Sequence, residues 1–165
     1  MKWTIEAFKE ASAARMADTK NYFKKLIKKT PKNLDLIMQD LHEEVFDYTN
    51  CLQCANCCKT TSPIFTTKDI AKISKHLRIK EIQFINQYLR IDEDNFYVLQ
   101  TAPCSFLMAD NECMIYDVRP KACSEYPHTD RKKFIQIASL TLKNTEVCPA
   151  VLDIVEKLKQ KVPFN

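Results

Sequence analysis

At 165 residues the chain has the length of one ordinary domain, and a chain of that size buries roughly 70% of its unfolded surface, so it needs no cross-links merely to fold. A formal net charge of +4 and a pI of about 8.6 are mildly basic, short of a dedicated nucleic-acid binder. The sequence contains no glycine (Gly 0), which excludes the Gly-rich phosphate loops of nucleotide sites and dinucleotide fingerprints.

Residues 1–49 read as a helical hairpin. Trp3, Ile5, Phe8, Ala11, Ala14, Phe23, Leu26 and Ile27 recur at roughly helical spacing with lysines between them. Thr30-Pro31 is a restart signal, an N-cap followed by proline at the first helical position. Leu34, Ile37, Leu41, Val45 and Phe46 then mark one apolar face. The run Lys20, Lys24, Lys25, Lys28, Lys29 and Lys32 reads first as the solvated side of a helix. The opening stretch is charged throughout and holds no apolar signal segment, and no stretch approaches the roughly 18 apolar residues of a membrane span. A cytoplasmic chain with no membrane association is the expectation.

Residues 50–149 form the cysteine-rich core. Thr66 followed by Asp69 is an acidic capping box opening a helix through about Leu77, and Ile79 to Leu89 reads as a second short helix. Phe96 to Thr101 is the best strand, with Cys113 to Tyr116 as its expected partner across an Asp110-Asn111 turn. From Pro149 to the C-terminus, Val151, Ile154, Val155 and Leu158 give a helical stripe. With no glycine, helices are expected to end on Asn, Lys or Pro, and positive φ to fall to Asn or Asp. The predicted fold is mainly α with a small β-hairpin or irregular cysteine-rich metal-binding core, in a single domain.

The chemistry lies in the cysteines: Cys51, Cys54, Cys57, Cys58, Cys104, Cys113, Cys123 and Cys148. Four of them fall within the run CLQCANCC. Two-residue gaps let successive thiolates turn toward one centre while backbone N–H groups face the sulfurs. In a reducing compartment such clustering points to metal rather than disulfides. Zinc ribbons use two separated CxxC pairs, whereas a CxxCxxC run grips an iron–sulfur cubane, so the compact spacing leans toward iron–sulfur with Zn2+ close behind. Adjacent Cys57 and Cys58 diverge and do not readily chelate one ion together. All eight cysteines are candidate ligands, and how they divide between sites stays open. Cys148 before Pro149 sits at a predicted helix N-terminus, where the helix dipole favours its thiolate.

CLQCANCC, followed by APCSFLMADNECMIYDVRPKACSEYP and VCPAV, resembles the YkgJ-type cysteine-cluster family, a zinc- or iron-chelating domain with a CxxCxxCC signature. The resemblance spans about Cys51 to Pro149 and matches all eight cysteines. It departs where the family usually has a glycine in the first cluster. Here Ala55-Asn56 precede Cys57, with Asn56 the expected carrier of positive φ. Ser124 stands where an arginine often follows the RPxxC cysteine. Larger relatives resemble flagellin lysine methylases, but no motif here supplies an S-adenosylmethionine pocket.

Around the cysteines, Arg119 can offset thiolate charge or cap a helix end, and Tyr116, Tyr126 and His128 would line a pocket beside a cluster. Three functions follow in order. The first is a metal-binding protein with no catalytic chemistry of its own. The second is an iron–sulfur oxidoreductase or the subunit of a protein-modifying, methylase-like enzyme. The third is a zinc module on nucleic acid or the ribosome, for which the lysine run is the only support. Metal ions are the one partner that the residues name.

Overall fold

The structure is a computed structural model that describes residues 3–164; Met1, Lys2 and Asn165, which belong to the outer zones read above, lie outside the described residues. The chain is mainly helical with one small antiparallel sheet, as its pattern predicts. It gathers into two compact units, one built from the chain up to Cys51 together with the chain from Pro127, the other from Leu52–Tyr126. Among the described residues no helix is long and apolar enough to cross a membrane.

The first unit is all helical. Helix α1 (Ile5–Lys28) starts at Thr4, whose hydroxyl accepts the Ala7 N–H at 3.2 Å, and α2 is Leu34–Asp47. Their apolar faces, including Phe23, Leu26, Met38, Leu41 and Val45, are covered by the C-terminal helix Pro149–Lys161. There the predicted stripe Val151, Ile154, Val155 and Leu158 is fully buried. Asp35 on α2 accepts the N–H groups of Lys133 (2.7 Å) and Phe134 (3.0 Å). This carboxylate satisfies the start of a 3₁₀ turn, Phe134–Ile137, and seats Phe134 in the core.

Two expectations for this unit are corrected. Helix α1 does not bury Ala14 or Ile27; it turns Ser12, Thr19 and Tyr22 inward instead. Two of these polar groups have carbonyl partners: the Ser12 hydroxyl donates to Thr145 O at 2.9 Å and the Tyr22 hydroxyl to Val162 O at 3.0 Å. Burial is thereby offset by hydrogen bonding. Thr30 does not cap α2. Its hydroxyl donates back to the carbonyls of Leu26 (3.0 Å) and Ile27 (3.3 Å), satisfying the end of α1, and Asn33 precedes α2. The lysine run from Lys20 to Lys32 is exposed throughout, as expected.

The second unit opens with two short helices, α3 (Cys51–Cys54, begun at the last residue of the first unit) and α4 (Asn56–Thr60). Strand β1 (Ile64–Phe65), α5 (Thr67–Leu77), α6 (Glu81–Tyr88), β2 (Leu89–Ile91) and β3 (Tyr97–Leu99) follow. The capping box is present as predicted, with Asp69 N–H donating to Thr66 Oγ1 at 3.2 Å and Thr66 N–H to Asp69 at 2.9 Å. The predicted strand exists but its partner differs. β3 lies between β1 and β2 in the order β1-β3-β2, antiparallel to both, and not beside Cys113 to Tyr116. The helix read over Ile79 to Leu89 stops at Tyr88 because Leu89 enters β2 opposite Leu99. The Asp110-Asn111 turn does form, joining Leu107 to Cys113 in an isolated antiparallel bridge. Phe65, Ile70, Ile73, Phe84, Leu99, Phe106 and Ile115 make this unit's core, in which Phe84 and Phe106 stack at 6.1 Å.

Positive φ is less selective than expected. Asn95 and Asn111 carry it, but so do Ala55, Arg78, His128 and Lys133. In the first cluster the left-handed residue is Ala55 (φ 46), and Asn56 is instead the buried first residue of α4. A chain without glycine accepts about 1–2 kcal/mol at each such position where packing demands the turn.

Truncating Phe84, fully buried against Phe106 and Tyr88, removes the centre of the second core. Phe84→Ala is expected to cost about 3–5 kcal/mol in urea unfolding. For Asp69, burial works to raise the pKa, but hydrogen bonds from Thr66 and Lys121 and the charge of Lys72 outweigh it and hold the carboxyl below its usual range. A depressed carboxyl adds stability that is present above the unfolded value of about 4 and is lost as pH falls through the folded value. Asp69→Asn is therefore expected to flatten the acid limb of the stability–pH curve below about pH 4.

Candidate metal centre

Cys58 sits in α4, a helix of one turn whose carbonyl ends are closed by the hydroxyls of Thr60 (to Asn56 O, 2.7 Å) and Thr61 (to Cys57 O, 2.8 Å). Its own carbonyl accepts the Cys104 N–H at 2.8 Å, which pins the second thiol's backbone to the first. Cys104 and Cys113 then occupy two similar turns. In one, Leu107 N–H returns to Cys104 O at 3.0 Å and the Phe106 and Leu107 N–H groups face the Cys104 sulfur. In the other, Tyr116 N–H returns to Cys113 O at 3.1 Å and the Ile115 N–H faces the Cys113 sulfur. The residue two beyond each cysteine, Phe106 or Ile115, is buried in the core. That burial aims its N–H at the sulfur. Cys123 lies in α7 (Lys121–Ser124), entered through Arg119 and Pro120.

These four thiols feel one another in every pairing. Burial and then the hydrogen bond from Phe106 N–H act on Cys104, with Cys58 and Cys113 adding to its rise. Burial pushes Cys113 up, with Cys58 contributing. Burial first, and then Cys58, Cys104 and Cys113, push Cys123 up to about 12. Cys58 alone moves down, to about 7, chiefly because the Cys57 thiol, 4.0 Å away, hydrogen-bonds to it; Lys59 assists against burial. Arg119 lowers both Cys113 and Cys123. Its guanidinium lies 3.9 Å over the Tyr116 ring and donates to Tyr116 O at 2.7 Å. Arg119 thus closes a 3₁₀ turn, Tyr116–Val118, the helix-end capping that was one of its two expected readings.

The remaining candidates are placed as follows. Cys51 begins α3 and is exposed, and Cys54 ends it. Cys148 stands before Pro149 at the N-terminus of the last helix, as predicted, and belongs to the first unit with Cys51. Tyr126 closes the second unit, whereas His128, at φ 64, falls in the first. None of the eight cysteines is joined in a disulfide. Among the described residues no three His, Cys, Asp or Glu side chains are already arranged to hold a metal ion. The cysteines are an all-sulfur donor set, which fits zinc or iron rather than an oxygen-seeking cation.

Sequence reading missed Phe106 and Ile115 as parts of this arrangement. A signal was available for both, since Cys104-Ser-Phe106 and Cys113-Met-Ile115 repeat cysteine, one residue, then a large apolar side chain.

In metal-free protein at pH 7, Cys58 has its pKa near the ambient pH and is the thiol expected to be alkylated first among the four, with Cys123 last. Cys57→Ala removes the donor that stabilises the Cys58 thiolate and is expected to slow its alkylation severalfold, read by mass spectrometry of modified peptides.

A family model described as "Putative zinc- or iron-chelating domain", under the name CxxCxxCC, matches residues 50–149. An uncharacterized protein of Methanocaldococcus jannaschii is 32% identical over 83 residues, 48% of this chain. The aligned part is 44% of that protein, so the chain spans less than half of its relative's length. No solved structure matches the chain. With the family's model covering more than half of its residues, including every cysteine, this chain belongs to the CxxCxxCC family of zinc- or iron-chelating domains.

Proposed function

We propose that the chain is a thiolate metal-binding protein that holds zinc or iron through Cys58, Cys104, Cys113 and Cys123. What supports this reading is the backbone bond that ties Cys104 to Cys58, the N–H groups facing the Cys104 and Cys113 sulfurs, and four sulfurs near enough to repel one another as thiolates. Three of them stand in a hydrophobic setting that raises their pKa, so four thiolates are sustainable there only with a cation to share the charge. N–H groups at the sulfurs of Cys104 and Cys113 supply the hydrogen bonds that metal thiolates accept. Arg119, steadied on Tyr116, offsets part of the negative charge that remains on a tetrathiolate site. Side-chain rotation at the four cysteines would complete the coordination.

A single tetrathiolate ion is the first reading; a cubane also takes four cysteine sulfurs, and the compact CxxCxxC run of Cys51, Cys54 and Cys57 supports it as the second. Eight cysteines, four of them within one run of eight residues, fit a reducing compartment, which supports a cytoplasmic location.

Anaerobic purification followed by zinc, iron and acid-labile sulfide assays tests the reading. One colourless ion per chain without sulfide is expected. Iron with stoichiometric sulfide and visible absorption would replace the single ion by a cluster, and a chain that takes up neither metal after reduction would end the proposal. Cys104→Ser and Cys113→Ser should each lower metal retention at least about tenfold, the scale on which lost ligation acts. A structural thiolate zinc contributes on the order of 10–16 kcal/mol, against roughly 5–15 kcal/mol for a whole domain. Chelation is accordingly expected to abolish amide-exchange protection across Leu52–Tyr126; retained protection after verified metal removal would show the ion to be dispensable for that fold.

A further inference from the structure

Asp69 is a buried carboxylate (4% exposed) in α5, far in sequence from any cysteine. As a helix cap it needs only the Thr66 partners: Oδ2 accepts the Thr66 N–H at 2.9 Å and hydroxyl at 2.6 Å. Its other oxygen does something a cap does not require. Oδ1 accepts the N–H of Lys121 at 3.0 Å, 52 residues away. One turn further along α5, Lys72 Nζ donates to the Arg119 carbonyl at 3.0 Å. α5 therefore grips the chain on both sides of Pro120.

The gripped segment carries the last thiol. α7 has four residues, too few to hold itself together, since a helix of one turn has barely passed its unfavourable nucleation. The residue ahead of it is Pro120, whose side chain offers no acceptor for the unsatisfied N–H groups of the first turn. Asp69 supplies that acceptor from outside. Within the turn the Cys123 N–H donates to Pro120 O at 2.9 Å, and the turn itself is tied from outside by the Lys121 bond to α5.

We infer that Asp69 is a positioning residue of the metal centre, and that with Lys72 it clasps Arg119–Lys121 so that Cys123 and Arg119 face the other three thiols. This rests on the reading of Cys123 as a ligand. The carboxylate is required because its two oxygens serve two different segments. An amide has one acceptor oxygen and must turn its NH₂ donor toward either Thr66 or Lys121.

The test compares Asp69→Asn with Thr66→Ala, each in the full chain loaded with Co2+ as the probe. Thr66→Ala weakens the helix cap but leaves the Asp69–Lys121 bond. The parent is expected to show sulfur-to-cobalt charge-transfer absorption from four thiolates and to protect Cys58, Cys104, Cys113 and Cys123 from alkylation. In Asp69→Asn the absorption should fall by about one quarter, as one of four sulfurs is lost. Cys123 should also become alkylated at least about tenfold faster than in the parent, the factor given by about 1.4 kcal/mol of lost anchoring. Thr66→Ala should lower the melting temperature while keeping both signatures. Lys72→Met, at an exposed donor, should raise Cys123 alkylation in the same direction, and it reads the clasp even if Asp69→Asn fails to fold. Parental absorption and Cys123 protection in Asp69→Asn and Lys72→Met overturn the inference and reduce Asp69 to a helix cap. A parent chain that shows no charge transfer and no thiol protection instead overturns the assignment of these cysteines as ligands.

Discussion

Four thiols within electrostatic reach of one another cannot all ionise in a partly buried setting unless something positive shares the space. Most of the second unit can be understood as the apparatus that keeps them together despite that repulsion. Three devices hold the four sulfurs. Cys58 rides a one-turn helix closed by threonine hydroxyls, Cys104 and Cys113 sit in paired turns anchored by Phe106 and Ile115, and Cys123 depends on α5. The hydrophobic core is therefore not merely beneath the site. Its side chains aim the N–H groups that a thiolate needs.

Much of this was legible in the residues. The capping box at Thr66 and Asp69, the stripe of the C-terminal helix, Pro149 after Cys148 and the Asp110-Asn111 turn all depend on local chemistry, and all appear where the residues place them. The errors share a physical cause. Thr30-Pro31 offers a good local start for a helix, but the Thr30 hydroxyl finds the carbonyls of α1 first. FYVLQT reads as a strand, yet which strand it joins is decided by tertiary pairing, and β1 has only two residues to announce itself. The nearness of Cys58 to Cys104, Cys113 and Cys123 was hidden for the same reason, since it depends on tertiary packing and not on the spacing within CLQCANCC.

The left-handed residues carry a related lesson. Ala55, Arg78, His128 and Lys133 have no glycine to relieve them, so their turns are imposed by the packing on either side. At Ala55 the turn separates α3 from α4 and lets Cys57 and Cys58 leave the line of Cys51 and Cys54. Strain at that one residue is part of how the compact run is divided.

The division of the chain into one contiguous unit and one interrupted unit has a consequence for synthesis. Leu52–Tyr126 leaves the ribosome as an uninterrupted segment and can close its core, and meet a metal, while translation continues. The apolar faces of α1 and α2 are covered by Pro149–Lys161, which is made after the cysteine-rich segment. At about 5–20 residues per second, the hairpin waits on the order of ten seconds with Met38, Leu41 and Val45 unburied. Over that interval the apolar face of the N-terminal hairpin stays uncovered, and the cysteine-rich segment is the part of the chain able to mature first.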